Sequence, residues 1–525
     1  MAFNESLDEN NNPEVIEGLR DKLQGYSFST KVEMCRNIAH IIDNYFPYDY
    51  IDQRGFEEEE KKIVQQIYDN CHLHEIDLVS LFSIIDSENS TVTELTKCNQ
   101  FVEIINLIRA YVIAFAHQND TDLTDIIDGH AVHWDEISTM LFLRMAMEQF
   151  PYQQNFVFHL YRYKWFFSHK TPELNLADIF LKEFYFTFDE YIMVCCLLFI
   201  ISTESHSVLT IPHVLEQFNS LKKFKKEDII VILNQLSDTR ETLQENYNQL
   251  KSDDLRLINY DFNPLKITPL IIDGNNFYIP VPQLLFHAIT KGFYHRLCDA
   301  YKKDQFRKHF GKEVFEPYVE HVLTWDKVDY VIVPEFPYYK SKHEQLSADF
   351  TLIRGNDLIL VEVKGTTPST LLSSTDSKVF KSQLDKAYAE GITQCARKDN
   401  DIRNGILTHA KFPATITQIH YLVITLEDFY IFPTESVIMQ IRKYASSKGV
   451  MIPENKSFHL MSINDLEAII QNDTRSLFDF LMYRDNTNHT FTVATGLDIN
   501  SQKEKHKLRS FQYFTSVLND LTSKI

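Results

Sequence analysis

The sequence predicts an α+β protein. A mainly α-helical N-terminal domain is followed by a core whose elements run helix, three strands, helix, strand (αβββαβ), and then by a mixed C-terminal extension. Three observations carry this reading. Apolar residues recur at helical spacing from about residue 15 to 260. Alternating strand-like runs around Gly-Asn pairs begin only after residue 262. The formal charge also divides there, with 22 Lys and Arg against 44 Asp and Glu in residues 1–280 but 30 against 29 in residues 281–525.

Residues 1–260 read as an acidic helical domain, in which VEIINLIRAYVIAF (102–115), ISTMLFLRMAMEQF (137–150) and EDIIVILNQL (227–236) show the apolar stripe most clearly. YIMVCCLLFIIS (191–202) is too short to span a bilayer and is flanked by Asp189, Glu190 and Glu204, so it predicts a buried helix and no membrane partner. ITPLIIDGNNFYIPV (267–281) predicts a hairpin, and residues 261–300 a hairpin-and-helix connector. Within the αβββαβ stretch, 301–430, the elements are a helix over 303–324, a strand over 328–336, a hairpin over 347–365, a helix over 377–397 and a strand over 416–426. Residues 431–525 form the C-terminal extension.

The 525 residues, 44% hydrophobic and 13% aromatic, suffice for real cores in two or three domains. The seven cysteines (Cys35, Cys71, Cys98, Cys195, Cys196, Cys298, Cys395) are odd in number and form no C-x-x-C pair. That is the pattern of reduced thiols, and with an acidic, polar N-terminus lacking a secretory signal it predicts a cytoplasmic protein. A net charge of −21 concentrated in the first half repels phosphate backbones, so nucleic-acid contact is expected in the second half and a protein partner on the acidic helical domain. No G-x-x-x-x-G-K-[ST] loop is present, which argues against nucleotide hydrolysis.

The chemistry concentrates in SADFTLIRGNDLILVEVKG (347–365). A two-residue loop at Gly355-Asn356 fixes antiparallel register so that Asp349 lies opposite Glu362. Residues two apart on a strand share a face, so Lys364 joins them. Two opposed carboxylates repel, and hard oxygen donors of this kind suit Mg²⁺ or Mn²⁺. Glu59-Glu60-Lys61-Lys62 contains the same E-x-K spacing twice, but within a charged helical run that reads as a solvated face. Cys71, His72, His74 and Glu75, and the pair His130 and His133, lack a second pair at zinc spacing and read as ordinary histidines. Lys302, Lys303, Arg307, Lys308 and Lys312 form a basic cluster suited to phosphates. Lys222, Lys223, Lys225 and Lys226 read as a solvated helix start.

The segment Asp349-x12-Glu362-Val363-Lys364 resembles the PD-(D/E)xK nuclease superfamily, whose restriction-endonuclease-like core also runs αβββαβ; Ser347-Ala348-Asp349 replaces the proline-aspartate pair. GKEVFEPY (311–318) is similar to the family's first helix, and Gln383 to a glutamine that follows the lysine in several branches. Tyr388 is five residues after Gln383, where one branch spaces the pair by four, and is not carried over. The resemblance covers about a quarter of the chain and implies metal-dependent phosphodiester hydrolysis. Asp349, Glu362 and the Val363 carbonyl would hold the metal, Glu316 would join directly or through water, and Lys364 would serve the attacking water and the developing charge. Glu313 and Glu320 lie on the same helix face as Glu316 and compete for its role. The resemblance favours DNA over RNA, a homo-oligomer, and a setting in prokaryotic antiphage defence or restriction. A catalytically inactive scaffold and a structure-specific repair or recombination nuclease are the alternatives.

Overall fold

A computed structural model of the chain describes residues 17–43, 156–251 and 262–487, apart from short breaks within these stretches. The helical expectations at 102–115 and 137–150, the acidic run at 57–60, Lys222, Lys223, Lys302 and the Cys71–Glu75 and His130–His133 groups lie outside the described residues. The described protein is mixed α+β.

In the first half the helices are α1 (Phe28–Asp43), α2 (Phe156–Ser168), α3 (Leu176–Phe184), α4 (Phe188–Glu204), α5 (Ile211–Asn219), α6 (Lys226–Leu236) and α7 (Arg240–Leu250). Local chemistry sets their ends. Asn175 caps α3 by accepting from the Asp178 N–H, and α3 stops where Tyr185 turns left-handed at φ 66°. Thr187 and Glu190 form a reciprocal capping box at the start of α4, Glu190 accepting from the Thr187 N–H at 2.6 Å and donating its own N–H to the Thr187 hydroxyl at 3.2 Å. Tyr191, Ile192, Val194, Cys195 and Leu198 of α4 are fully buried, so its apolar character reflects a core position. Among the described residues no single helix is long and apolar enough to cross a membrane. Lys225 and Lys226 open α6 and are exposed, as a solvated helix start requires.

A four-stranded sheet of order β1-β4-β3-β2 joins this half to the second: β1 (Val208–Thr210), β2 (Ser237–Thr239), β3 (Leu270–Asp273) and β4 (Asn276–Tyr278). The expected hairpin at 267–281 is β3–β4, with Gly274 at φ 59° in its turn. β1 and β2 arise inside the stretch read as helical. Three residues are too few for an alternating pattern to register against helical neighbours.

After the short helices α8 (Leu284–Ala288) and α9 (Lys291–Ala300) comes the helix expected over 303–324. It is built as α10 (Lys303–His309), a π turn (Phe310–Phe315) and α11 (Glu316–Leu323). The next unit is a five-stranded sheet of order β11-β10-β9-β8-β5, formed by β5 (Val331–Pro334), β8 (Phe350–Arg354), β9 (Asp357–Lys364), β10 (Gln418–Thr425) and β11 (Phe458–Ser462). β5, β8 and β9 are antiparallel neighbours, whereas β9, β10 and β11 run parallel. A separate two-stranded ribbon, β6 (Pro337–Lys340) and β7 (His343–Leu346), interrupts the expected succession of three strands. The second core helix is longer than expected: α12 (Ser377–Leu384), a π turn (Asp385–Ala389) and α13 (Glu390–Arg403). β11 adds the C-terminal region to the sheet edge, with α14 (Glu435–Ser447) before it and α15 (Ile463–Ile470) and α16 (Leu477–Thr487) after it.

Alternation along β8, β9 and β10 puts apolar side chains on both faces, as a sheet covered on each side needs. Phe350, Leu352, Ile359, Val361, Val363, Leu422 and Ile424 join a core that also holds residues of α2–α6, α9–α11 and α15. Ile353, Leu358, Leu360, Tyr421 and Val423 face α12–α14 in a second core. The first core runs from Leu160 to Leu481 and is continuous across residues 260, 300 and 430. Of the described cysteines, Cys35, Cys195, Cys298 and Cys395 are buried, Cys196 is half-buried, and none is in a disulfide.

Candidate active site

Gly355 carries φ 59° while Asn356 does not enter the left-handed region, which matches a II′ hairpin turn with glycine in its first central position. The register results from this turn: Arg354 pairs with Asp357 and Phe350 with Val361. One further step brings Asp349, just before β8, opposite Glu362. There the Asp349 carboxylate accepts the Val363 N–H at 2.7 Å. Glu362 and Lys364 project toward α13, and the Lys364 ammonium stands 3.4 Å from the Glu362 carboxylate.

Glu362 is 3% exposed. Burial, then the charge of Asp349, push its carboxyl up to about 8, outweighing the opposing pull of Lys364 and Lys398. Glu316 is pushed up to about 7, again by burial and then by Asp349, against Lys312. Burial raises Asp349 as well, with the Val363 N–H and Lys364 opposing. Asp349 thus acts electrostatically on both Glu316 and Glu362.

A glycine contact brings the helix to the strand. A Cβ on Gly365 would lie 2.9 Å from the Gly311 Cα, so the end of β9 can meet the π turn this closely only where residue 365 lacks a side chain. One turn later Glu316 begins α11 beside Asp349. Its partner is Lys312, which bridges the Glu316 and Glu335 carboxylates at 2.8 Å each. Glu313 is engaged elsewhere, accepting from Thr171 at 2.5 Å and pairing with His309 at 2.8 Å, while Glu320 is exposed. Of the three candidate glutamates, Glu316 is the one whose carboxyl responds to Asp349.

Several expected residues stand differently. Gln383 is half-buried on α12, and the glutamine that reaches Lys364 is Gln394 on α13, accepting from the ammonium at 2.5 Å. The helix runs past the π turn, so a later turn crosses the strand end. Gly391 permits that crossing, since a Cβ there would lie 2.8 Å from Val423 Cγ2 and 3.3 Å from Lys364 Cε. A glycine three residues before a glutamine was the signal available in the sequence. Lys398, one turn beyond Gln394, completes the positive lining of this face. In the basic cluster, Lys303 opens α10, and Arg307 and Lys308 are exposed. Lys312 is held by two carboxylates, so it does not present an open phosphate site, which corrects its expected role.

Whether a divalent cation suits this donor set depends on its chemistry. Among the described residues, no group of three or more His, Cys, Asp or Glu stands arranged to hold a metal. Asp349 and Glu362 still offer hard carboxylate oxygens under mutual repulsion, and Mg²⁺ commonly takes one or two carboxylates and fills its remaining positions with water. No protein-family model matches this chain, and no curated protein matches it at a significant level.

Proposed function

We propose that this chain is a metal-dependent nuclease of the PD-(D/E)xK type, hydrolysing phosphodiester bonds with Mg²⁺ or Mn²⁺, with DNA rather than RNA as substrate. The observation that supports it best is Asp349 beside Glu362 on paired strands, with Lys364 3.4 Å from the Glu362 carboxylate and with burial and the charge of Asp349 raising both Glu362 and Glu316. The order from α10 to β10, helix, three sheet strands, helix, strand, is that of the restriction-endonuclease-like core.

Asp349 and Glu362 would hold the cation, with Glu316 released from Lys312 and the Val363 carbonyl as further donors. When bound, the ion supplies Lewis acidity and an acidified water. Lys364, oriented by Gln394, donates to a non-bridging phosphate oxygen and stabilises the charge that develops there. Prokaryotic antiphage defence or restriction is the setting we infer, with the enzyme acting as a homo-oligomer because one site cuts one strand, and with the acidic helical half as its protein-docking side.

The test is cleavage of plasmid, linear duplex and single-stranded DNA and of RNA, with and without Mg²⁺ or Mn²⁺, by the wild type and by Lys364→Ala. Metal-dependent cleavage lost in the variant supports the reading. Cleavage at the wild-type rate by the variant moves the chemistry elsewhere, and no cleavage by the wild type favours a scaffold.

A further inference from the structure

One cation of the candidate site has no bond of its own. Lys398 of α13 is half-buried and forms no hydrogen bond or ion pair with any described residue. The contacts before it on the helix fix where it stands. Gly391 packs against Lys364, whose Cε would lie 3.3 Å from a Cβ there, and Gln394 accepts from the Lys364 ammonium. The Cys395 thiol then reaches the Leu360 carbonyl at 3.5 Å, so α13 runs back along β9 from the strand's C-terminal end. Lys398 continues the helical stripe of Gly391 and Gln394, and its charge acts on Glu362.

The acids that could pair with it are already engaged. Asp399 accepts from Arg403 and Tyr421 at 2.6 Å each and from Lys456 at 3.0 Å. Asp401 accepts from the Tyr338 hydroxyl and the Lys340 ammonium at 2.7 Å each. Glu362 has Lys364 at 3.4 Å. A half-buried ammonium with no acceptor carries a desolvation cost that no hydrogen bond from a described residue offsets, and an anion would offset it. The other lysines of the site differ. Lys312 is held by Glu316 and Glu335, and Lys364 by Glu362 and Gln394. An ammonium has three N–H donors, so Lys364 keeps one to offer whereas Lys398 keeps all three.

We infer that Lys398 anchors the substrate's phosphate in the ground state, which leaves Lys364 to the transition state. The inference rests on the nuclease reading and divides the roles of its two lysines. Charge supports the division. Asp349, Glu362, Glu316 and Glu335 face Lys312, Lys364 and Lys398, so with every carboxyl ionised one divalent cation leaves the site a single positive charge. A phosphodiester, a monoanion, neutralises it. Without Lys398 the same site would have no net charge to offer the substrate. A contact made equally to bound substrate and transition state lowers KM and leaves kcat unchanged.

The experiment measures the affinity of a fluorescent DNA oligonucleotide by anisotropy across a salt series, with Ca²⁺ in place of Mg²⁺, and then kcat and KM under Mg²⁺ or Mn²⁺. Wild type is compared with Lys398→Met, Lys398→Arg and Lys364→Ala. Lys398→Met keeps the side-chain length and should melt as the wild type does. It should bind about tenfold more weakly and raise KM by the same factor with kcat unchanged. Its slope of log affinity against log salt should fall by about 0.9 on a duplex or about 0.7 on a single strand, as for one lost phosphate contact. Lys398→Arg should restore affinity, and Lys364→Ala should lose kcat with affinity near normal. Wild-type cleavage with affinity, salt slope and KM unchanged in Lys398→Met overturns the anchor and leaves the nuclease. A loss confined to kcat in Lys398→Met overturns the division of roles. Binding that depends on Lys398, without cleavage by the wild type under any metal, overturns the nuclease reading and keeps Lys398 as an anion-binding residue. No binding by the wild type overturns both.

Discussion

At Glu362, burial and the facing Asp349 decide the protonation state, and the adjacent lysine does not undo them. A carboxyl whose pKa is about 8 in the folded chain against 4.5 ordinarily keeps its proton at pH values where the unfolded chain has lost it. The metal-free protein should therefore lose stability as the pH rises from about 4.5 toward 8, at up to about 1.4 kcal/mol per pH unit for one group. Glu362→Gln should flatten that slope, which thermal melting across the range will show; an unchanged slope would mean that Glu362 titrates normally. Lys364→Ala should abolish cleavage yet leave folding and Mn²⁺ binding, measured by calorimetry, largely intact, because the ammonium is not a ligand. Asp349→Ala should remove both cleavage and binding. Gln394→Ala should lower turnover and shift the pH–rate profile while leaving substrate affinity near normal, since Gln394 acts by orienting Lys364; an unchanged profile would make it a surface contact only.

Among the elements, the helix 303–323 and the hairpin 350–364 make the site by touching at Gly311 and Gly365. Gly365→Ala places a methyl 2.9 Å from backbone, which no rotamer can relieve. The helix must retreat, costing about 1–3 kcal/mol as overpacking does, and carrying Glu316 away from Asp349. Urea unfolding together with Mn²⁺ titration will separate the two effects. Stability and metal affinity equal to wild type would show that the contact does not position Glu316. The hairpin itself was legible from Gly355-Asn356 and its alternating flanks, because turn chemistry fixes register locally. The ribbon was not, since its turn uses Ser341 and Lys342, residues that announce no left-handed backbone.

Across the molecule, the N-terminal helices are tied to the C-terminal region by buried charge. Arg162 of α2 pairs with Glu467 of α15 at 2.6 Å, both essentially inaccessible, and Glu467 also accepts from Tyr318 of α11 at 2.7 Å. Nearby, Tyr163 donates to Glu427 at 2.5 Å and Lys291 approaches the same carboxylate at 3.4 Å. Arg162→Ala leaves Glu467 buried without its cation and should cost about 3–5 kcal/mol. Arg162→Ala combined with Glu467→Leu should recover much of that loss. If the single variant melts as the wild type does, the link between the halves is not a stabilising one. Because the apolar core continues from Leu160 to Leu481, residues 301–430 expressed alone should expose apolar surface and aggregate.

By itself the sequence determined the α+β character, the hairpins that turn at Gly274 and Gly355, and the pairing of Asp349 with Glu362 and Lys364. Each of these is set by periodicity or turn chemistry within about twenty residues. Tertiary structure decided which side chains from distant elements join them. Glu316 rather than Glu313 or Glu320, Gln394 rather than Gln383, and Lys312 as a carboxylate clamp all depend on π turns and glycine contacts that rotate a helix against a strand end. One residue of such rotation turns a helical side chain by about 100°, and no local pattern records it.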